Sequence, residues 1–186
     1  MDKGAEYYQQ YLDGDDESMV LVVKEYRDGL ILFLNSYIGD MGIAEELAED
    51  AFFALMKKRP HFRREASFKT WLYAIGRNLA ISYLRHRKNE RISSLEQVDE
   101  LLADQEFLEK NYLREERRIR VHRVLEGLLP DYGRILYLKY FEELSNEEIA
   151  RILGKRKRQV ENQLYQAKQA ARKALEKEGF DDEDIL

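Results

Sequence analysis

Apolar residues recur along the first half of the chain at the spacing i, i+3, i+4, i+7, which is typical of amphipathic α-helices. The pattern predicts one helix from about Ser18 to Tyr37, ending near Gly39, and a second helix over residues 44–56. Pro60 follows the second helix closely, and its ring prevents the helix from continuing. Two helices separated by a glycine are therefore expected before residue 60.

A third helix is predicted to begin after Ser67, whose hydroxyl suits an N-cap. Its expected buried stripe consists of Phe68, Trp71, Leu72, Ile75 and Leu79. The three helices would bury one another as a small bundle. The pattern thus predicts an N-terminal domain of residues 1–89.

The second half of the chain has the same kind of periodicity. Ser145 and Glu148 form the S-x-x-E pattern of a capping box at a helix start, and Gly154 permits the left-handed turn that ends this helix. The next helix is expected to bury Val160, Leu164 and Ala167. Two short helices joined by a tight glycine turn predict a helix-turn-helix. Two apolar stripes precede it, one formed by Val121, Val124, Leu125, Leu128 and Leu129 before Pro130, the other by Ile135, Leu136, Leu138 and Tyr140.

Between the two helical blocks, residues 90–116 are polar, acidic and weakly patterned, which indicates a linker. The chain of 186 residues contains only two prolines. We therefore predict an all-α fold of two helical domains joined by a flexible linker, the second domain spanning residues 117–178 and containing the helix-turn-helix. Residues 179–186 form an acidic tail.

Charge is unevenly distributed along this chain, whose formal net charge is −5. Residues 57–91 carry eleven lysines and arginines against two carboxylates, and residues 151–173 carry eight against one. Two basic segments in an acidic chain suggest two separate anionic contacts.

The second basic segment opens the last helix of the predicted helix-turn-helix, where such proteins place the residues that enter the DNA major groove. Arginine and lysine reach guanine acceptors or phosphates, while asparagine and glutamine pair with adenine. A helical hairpin that serves a protein interface is the alternative interpretation. The candidate duplex-DNA contacts are Arg156, Lys157, Arg158, Gln159, Asn162, Gln163 and Gln166.

The first basic segment interleaves cations with aromatic residues, a composition typical of single-strand recognition because unstacked bases can lie on the rings. Phe68 and Trp71 fall on the apolar stripe, which favours the core, whereas Phe62 and Tyr73 fall off it and are better placed to touch bases. The candidate single-strand contacts are Phe62, Arg63, Arg64, Trp71, Tyr73, Arg77, Asn78 and Arg85.

The run F-x-x-W-L-x-x-I-x-R-N-x-A-x-x-x-L-R, from Phe68 to Arg85, resembles region two of bacterial RNA polymerase sigma factors of the extracytoplasmic-function (ECF) class. The stretch LPDYGRILYLKYFEELSNEEIARILGKRKRQVENQLYQAKQAARKAL is similar to their region four. The resemblance implies a subunit that binds core RNA polymerase, directs it to promoters and assists melting. The loop Arg63–Ser67 would then read a flipped base of the minus-ten element, and the last helix would read the minus-thirty-five element as duplex.

The same resemblance implies that Glu46, Glu49 and Asp50 bind the polymerase, although the family usually has glutamine where Glu49 stands. Its recognition helix commonly opens with serine or proline, a small residue and threonine, and here Arg156, Arg158 and Gln159 replace them. Promoter preference therefore does not transfer from relatives. An anti-sigma factor is a further possible partner.

The alternative function is a stand-alone helix-turn-helix regulator with an N-terminal dimerisation or ligand domain, which would have no use for the first basic segment. An enzyme is not expected: the three histidines are isolated, and the chain lacks cysteine and any metal-ligand spacing. We expect no cofactor, metal or small-molecule substrate. No signal peptide or membrane segment is recognisable, so the expected location is the cytoplasm.

Overall fold

The computed structural model describes residues 2–93 and 127–177, with side chains described for 2–89 and 127–176. The described residues belong to two compact units, and each unit has its own buried core. All regular elements among them are helical, so the predicted all-α class with two helical domains is confirmed for these residues. The predicted linker lies almost wholly outside the described residues, as do the acidic tail and the stripe positions Val121, Val124 and Leu125.

The described part of the first unit contains four helices: α1 (Lys3–Leu12), α2 (Asp16–Ile38), α3 (Met41–Lys58) and α4 (Phe68–Ser93). The turn between α2 and α3 is sharp because Gly39 adopts the left-handed conformation at φ 69°. The Asp40 side chain then accepts a hydrogen bond from the Ile43 backbone N–H at 3.1 Å, which caps α3. The predicted helix ends near Gly39 and before Pro60 are confirmed.

Helix α1 was not anticipated from the sequence, which predicted a bundle of three helices for this domain. The helix buries Ala5, Tyr8 and Tyr11 against the rest of the unit. Gly4 lies so close to the rings of Tyr26 and Phe68 that a β-carbon at this position would collide with both. Over residues 2–93 the first unit is therefore a bundle of four helices.

The buried face of α4 is rotated from the predicted stripe. Its fully buried residues include Phe68, Leu72, Tyr73 and Ala80, whereas Trp71 is only half-buried. The reason is Gly76, where α2 crosses so closely that a β-carbon would lie 2.9 Å from the Leu30 side chain. The placement of Tyr73 outside the core was wrong: its ring is inaccessible and lies 5.2 Å from the ring of Phe33.

The second unit contains α5 (Pro130–Leu136), a single π-helical turn (Tyr137–Phe141), α6 (Asn146–Leu153) and α7 (Lys157–Lys177). Ser145 and Glu148 form the predicted capping box at the start of α6. Gly154 ends α6 in the left-handed conformation at φ 61°. The predicted helix-turn-helix is therefore formed by α6 and α7, with Val160, Leu164 and Ala167 buried as expected.

Candidate nucleic-acid and polymerase-binding surfaces

The loop of residues 59–67, which joins α3 to α4, is tied to α1 by side-chain hydrogen bonds. The Tyr8 hydroxyl donates to the Pro60 carbonyl at 2.9 Å, and the Tyr11 hydroxyl donates to the Met56 carbonyl at 3.2 Å. Burial, with Tyr11 nearby, raises the pKa of Tyr8 to about 12 despite the opposing charge of Arg59, so this hydroxyl remains a donor at neutral pH. The end of the loop that follows α3 is thus fixed by the N-terminal helix.

Asp2 strengthens the same connection. One of its carboxylate oxygens accepts from the Ala5 N–H at 3.1 Å and caps α1, while the other accepts from the Phe68 N–H at 2.7 Å. The Ser67 hydroxyl accepts from the Thr70 N–H, which confirms Ser67 as an N-cap of α4. The α4 N-terminus is therefore held by two side chains.

An aromatic cluster of Tyr8, Phe62, Phe68 and Trp71 lies beside this loop. The Phe62 ring lies 5.1 Å from the Trp71 ring and 5.7 Å from the Phe68 ring. Phe68 is fully buried, but Phe62 and Trp71 are only half-buried. Phe62 and Trp71 therefore remain candidates for base contact.

The predicted cations of this surface are accessible. Arg63, Arg64, Asn78 and Arg85 are exposed, and Arg77 is partly exposed. Asn78 and Arg85 are two helical turns apart on α4 and share a face. Arg64 adopts the left-handed conformation at φ 57°, a strained state for a side chain of this size that is common at functional sites.

A second surface runs along the outer face of α3. Glu46, Glu49 and Asp50 are all exposed. Phe53 continues the stripe one turn further and exposes 54% of its surface, which is unusual for a phenylalanine. Sequence reasoning missed Phe53, although the Phe52–Phe53 pair contains the signal: neighbouring helical residues diverge by about 100°, so one ring faces away from the core.

The start of α7 presents three groups without side-chain hydrogen bonds or ion pairs among the described residues. These are Arg156, Arg158 and Asn162, and all three are exposed. Lys157 is ion-paired with Glu147, and the hydrogen bond that it donates to this carboxylate raises its pKa. Lys157 must therefore give up an ion pair to contact DNA, whereas the Arg156 and Arg158 side chains need not.

The predicted glutamine contacts already have partners within the unit. The Gln159 side-chain oxygen accepts from the Arg156 backbone N–H at 2.8 Å, so this residue caps α7. The Gln163 oxygen accepts from Lys155 at 2.7 Å, and the Gln166 oxygen accepts from the Tyr132 hydroxyl at 3.1 Å. These internal hydrogen bonds occupy one lone pair of each oxygen and fix the orientation of the three side chains.

Asp131 joins α5 to the helix-turn-helix. Its carboxylate lies 3.5 Å from the Lys155 ammonium and 2.9 Å from the Arg134 guanidinium. Burial favours a higher pKa for Asp131, but these two charges and the hydrogen bonds from Lys155 and Gln163 outweigh it, and the pKa lies below the ordinary value. The network fixes the turn before α7.

Tyr165 was also missed by sequence reasoning. It exposes 68% of its surface and lies on the same face of α7 as Arg158 and Asn162, at spacings of seven and three residues. The signal was its i+7 spacing from Arg158. Tyrosine can donate a hydrogen bond to a phosphate through its hydroxyl.

A helix-turn-helix with exposed cations and amides at the start of its second helix is typical of DNA-binding proteins, and comparisons with known proteins identify the family. Residues 22–90 match the family model for sigma-70 region 2, and residues 118–170 match the model for sigma-70 region 4. The chain belongs to the sigma-70 family of RNA polymerase sigma factors, in the ECF class.

Two relatives match over most of the chain. RNA polymerase sigma-H factor of Pseudomonas aeruginosa is 29% identical over 171 residues, which cover 88% of this chain and 89% of the relative. ECF RNA polymerase sigma factor SigW of Bacillus subtilis is 26% identical over 175 residues, covering 90% and 94% respectively.

Solved structures share the fold. The sigma factor RpoE from Bartonella quintana, in complex with the anti-sigma factor NepR, has a TM-score of 0.62 at 22% identity and covers 83% of this chain and 94% of its own. CnrH in complex with the cytosolic domain of CnrY has a TM-score of 0.63 at 18% identity, covering 94% and 98%. None of the described helices is long and apolar enough to cross a membrane.

Proposed function

We propose that this sigma factor binds core RNA polymerase through the α3 face, reads the upstream promoter element as duplex with α7, and captures the melted downstream element beside the loop of residues 59–67. The observation that carries the proposal is the chemical difference between the two DNA-facing surfaces. One surface offers exposed cations and amides at a helix start; the other offers partly exposed rings beside cations.

The duplex contact rests on the start of α7. The side chains of Arg156, Arg158 and Asn162 are exposed and form no hydrogen bond or ion pair among the described residues, so they can meet DNA without breaking one. Helix N-termini also favour phosphate, because their backbone N–H groups carry partial positive charge. Arg158 and Asn162 are one turn apart, which suits contacts to neighbouring base pairs.

The single-strand contact rests on the loop and on the exposed face of α4. Phe62 and Trp71 are only half-buried and offer rings to a base. Contacts to the DNA backbone come from Arg63, Arg64, Asn78 and Arg85. Stacking of a base on an aromatic ring contributes about 1–3 kcal/mol per base, which offsets part of the cost of melting. Tyr73 belongs to the core and has no role in this contact.

The polymerase contact rests on the exposed stripe of α3, where three acidic residues precede Phe53 and the Lys57 ammonium lies 5.5 Å from the Phe53 ring. An exposed large apolar residue among charges is typical of a protein interface. Because the neighbouring structures RpoE and CnrH were solved with NepR and CnrY, we also expect an anti-sigma partner to cover this face or the DNA-binding surfaces. The expected location is the cytoplasm, and no covalent chemistry is expected of the chain itself.

A test of the function is co-migration with core polymerase on a size-exclusion column, followed by transcription from promoters selected by the reconstituted holoenzyme. The expected result is a stoichiometric complex that initiates at specific sites. The stand-alone regulator is not favoured, since both sigma regions are matched in order. A chain that ignores the polymerase and binds an operator as a dimer would contradict the proposal.

A further inference from the structure

The outer face of α3 carries a stripe of exposed side chains in which charge follows a fixed order. Spacings of three and four residues place its members on one side of the helix. The Lys57 ammonium lies 5.5 Å from the Phe53 ring, which agrees with a shared face. The stripe is acidic in its first half, apolar in its middle and cationic at its end. It consists of Glu46, Glu49, Asp50, Phe53, Met56 and Lys57.

The acidic half of this stripe is not explained by α3 itself. Carboxylates stabilise a helix within its first turn, but the first turn of α3 contains none. Glu46 precedes Glu49 by three residues and Asp50 by four, spacings at which like charges repel. None of the three forms a hydrogen bond or an ion pair among the described residues. A cation brought by another molecule would relieve this repulsion.

The apolar middle of the stripe also indicates a surface that becomes covered. Phe53 exposes 54% of its surface and Met56 exposes 39%. Large apolar side chains grouped on a surface and rimmed by charges mark protein interfaces. A complementary partner offers an apolar centre, with a cation opposite Asp50 and a carboxylate opposite Lys57. A second copy of the same stripe, running antiparallel, meets all three requirements.

The register of α3 makes this pairing symmetric. Asp50 lies three residues before Phe53 and Lys57 lies four residues after it. With a rise of about 1.5 Å and a turn of about 100° per residue, the two side chains lie at opposite ends but on the same side of Phe53. A two-fold axis at Phe53 reverses the ends and keeps the side. Asp50 of each copy then faces Lys57 of the other, within about 1.5 Å along the helix axis.

We propose that the free chain forms a symmetric homodimer through the outer face of α3, with Phe53 at the two-fold axis and two Asp50–Lys57 ion pairs beside it. One helix stripe buries less than the roughly 1,200–2,000 Å² of stable complexes, so the dimer is weak and reversible. A further consequence rests on the proposed function, which assigns the same face to polymerase. The dimer and the holoenzyme then exclude each other, and dimerisation withdraws the chain from polymerase when the chain is abundant.

The test is sedimentation velocity of the full chain over a concentration series. Asp50→Lys and Lys57→Glu each place like charges opposite one another at both ion pairs. The double variant Asp50→Lys/Lys57→Glu exchanges the two charges and restores complementarity, which a merely misfolded single variant would not allow. Glu25→Lys is the matched control, because Glu25 is an exposed glutamate of α2 outside the stripe.

The wild-type chain and Glu25→Lys are expected to show a reversible monomer–dimer equilibrium. Each single variant should raise the dissociation constant by about tenfold, since symmetry doubles the effect of every substitution, and the double variant should return it to within about threefold of the wild type. A wild-type chain that stays monomeric at every concentration, or a double variant as weak as the single ones, would overturn the dimer.

A second measurement separates the dimer from the sigma function. Core polymerase is added to the dimeric wild-type chain, and the expected product is a complex with one chain per polymerase. A chain that is monomeric when free yet binds polymerase would refute the dimer and leave the sigma function standing. A dimer that forms no complex with polymerase would contradict the proposed function and leave the dimer standing.

Discussion

Replacing Tyr73 by alanine tests whether this residue stabilises the core or contacts DNA. The Tyr73 side chain is fully buried between α4 and α2, where its ring lies 5.2 Å from that of Phe33. Truncating a buried aromatic ring to alanine typically costs about 3–5 kcal/mol, because the ring loses its burial and leaves a cavity. This loss is a large fraction of a domain stability of about 5–15 kcal/mol.

The chain's single tryptophan makes the assay specific to the first unit. Trp71 lies within 5.6 Å, centroid to centroid, of the rings of Tyr8, Phe62 and Phe68, so its fluorescence reports the packing of this cluster. With a urea dependence of about 1–3 kcal/mol per molar, the unfolding midpoint of Tyr73→Ala is expected to fall by roughly 2 M. Asn78→Ala, an exposed control on the same helix, is expected to stay within about 0.5 kcal/mol of the wild type.

A contrary outcome is easy to recognise. If Tyr73→Ala unfolds at the wild-type urea concentration yet fails to open promoter DNA, then the ring contacts DNA and the packing described for α4 is incorrect.

Three further predictions concern the cap of α7, the stability of the fold at low pH and the stability of the first unit at high pH. Gln159→Glu retains an oxygen that caps α7 but replaces the amide donor with a negative charge. Thermal stability should be kept while duplex affinity falls in a filter-binding assay; equal loss of both would show that capping and DNA contact are not separate roles of this residue. Asp131 has a lowered pKa in the fold, so its contribution to stability is present above its ordinary pKa of 3.8 and is lost as pH falls through the lower folded value; Asp131→Asn should flatten the acid branch of unfolding followed by circular dichroism. Burial is the main cause that raises the pKa values of Tyr8 and Tyr26 to about 12 from an ordinary value of 10.0, so the first unit should lose stability as pH rises from 10 towards 12. Tyr8→Phe should reduce this dependence of stability on pH, measured by Trp71 fluorescence during unfolding.

The helices that the sequence predicted well are those with local end signals. Gly39, Pro60, Ser145 and Gly154 each dictate a backbone conformation or a cap that does not depend on distant contacts. The helix-turn-helix was recognisable for this reason. The cations of α7 were likewise predictable as exposed, since four consecutive charged residues cannot all be buried.

Two features depended on tertiary contacts and could not be found by periodicity. Helix α1 is short and buries tyrosines whose hydroxyls require partners from residues about fifty positions away, at Met56 and Pro60. The rotation of the α4 stripe follows from the close approach of Leu30 to Gly76, a residue without a side chain to count in a hydrophobic pattern. Both errors affected the predicted site, because α1 holds the loop of residues 59–67 and Tyr73 was assigned to DNA.

Internal hydrogen bonds explain why the recognition helix was only partly understood. Residue type suggested that Gln159, Gln163 and Gln166 read bases, but residue type does not reveal that each oxygen already has a partner in the fold. Tyr165 was missed because tyrosine at helical spacing is commonly a core residue, whereas here its side chain is exposed.

The most direct measurement follows promoter binding and promoter opening separately in holoenzymes that carry Arg158→Ala or Asn78→Ala. Duplex affinity is measured at several salt concentrations, because each neutralised phosphate contributes about −0.9 to the logarithmic slope. Opening is measured by permanganate reactivity of unpaired thymines. Arg158→Ala should weaken duplex binding and be largely rescued on a pre-melted template, while Asn78→Ala should bind duplex normally and open it poorly. Equal losses by both variants at both steps would contradict the assignment of two surfaces to two states of one promoter.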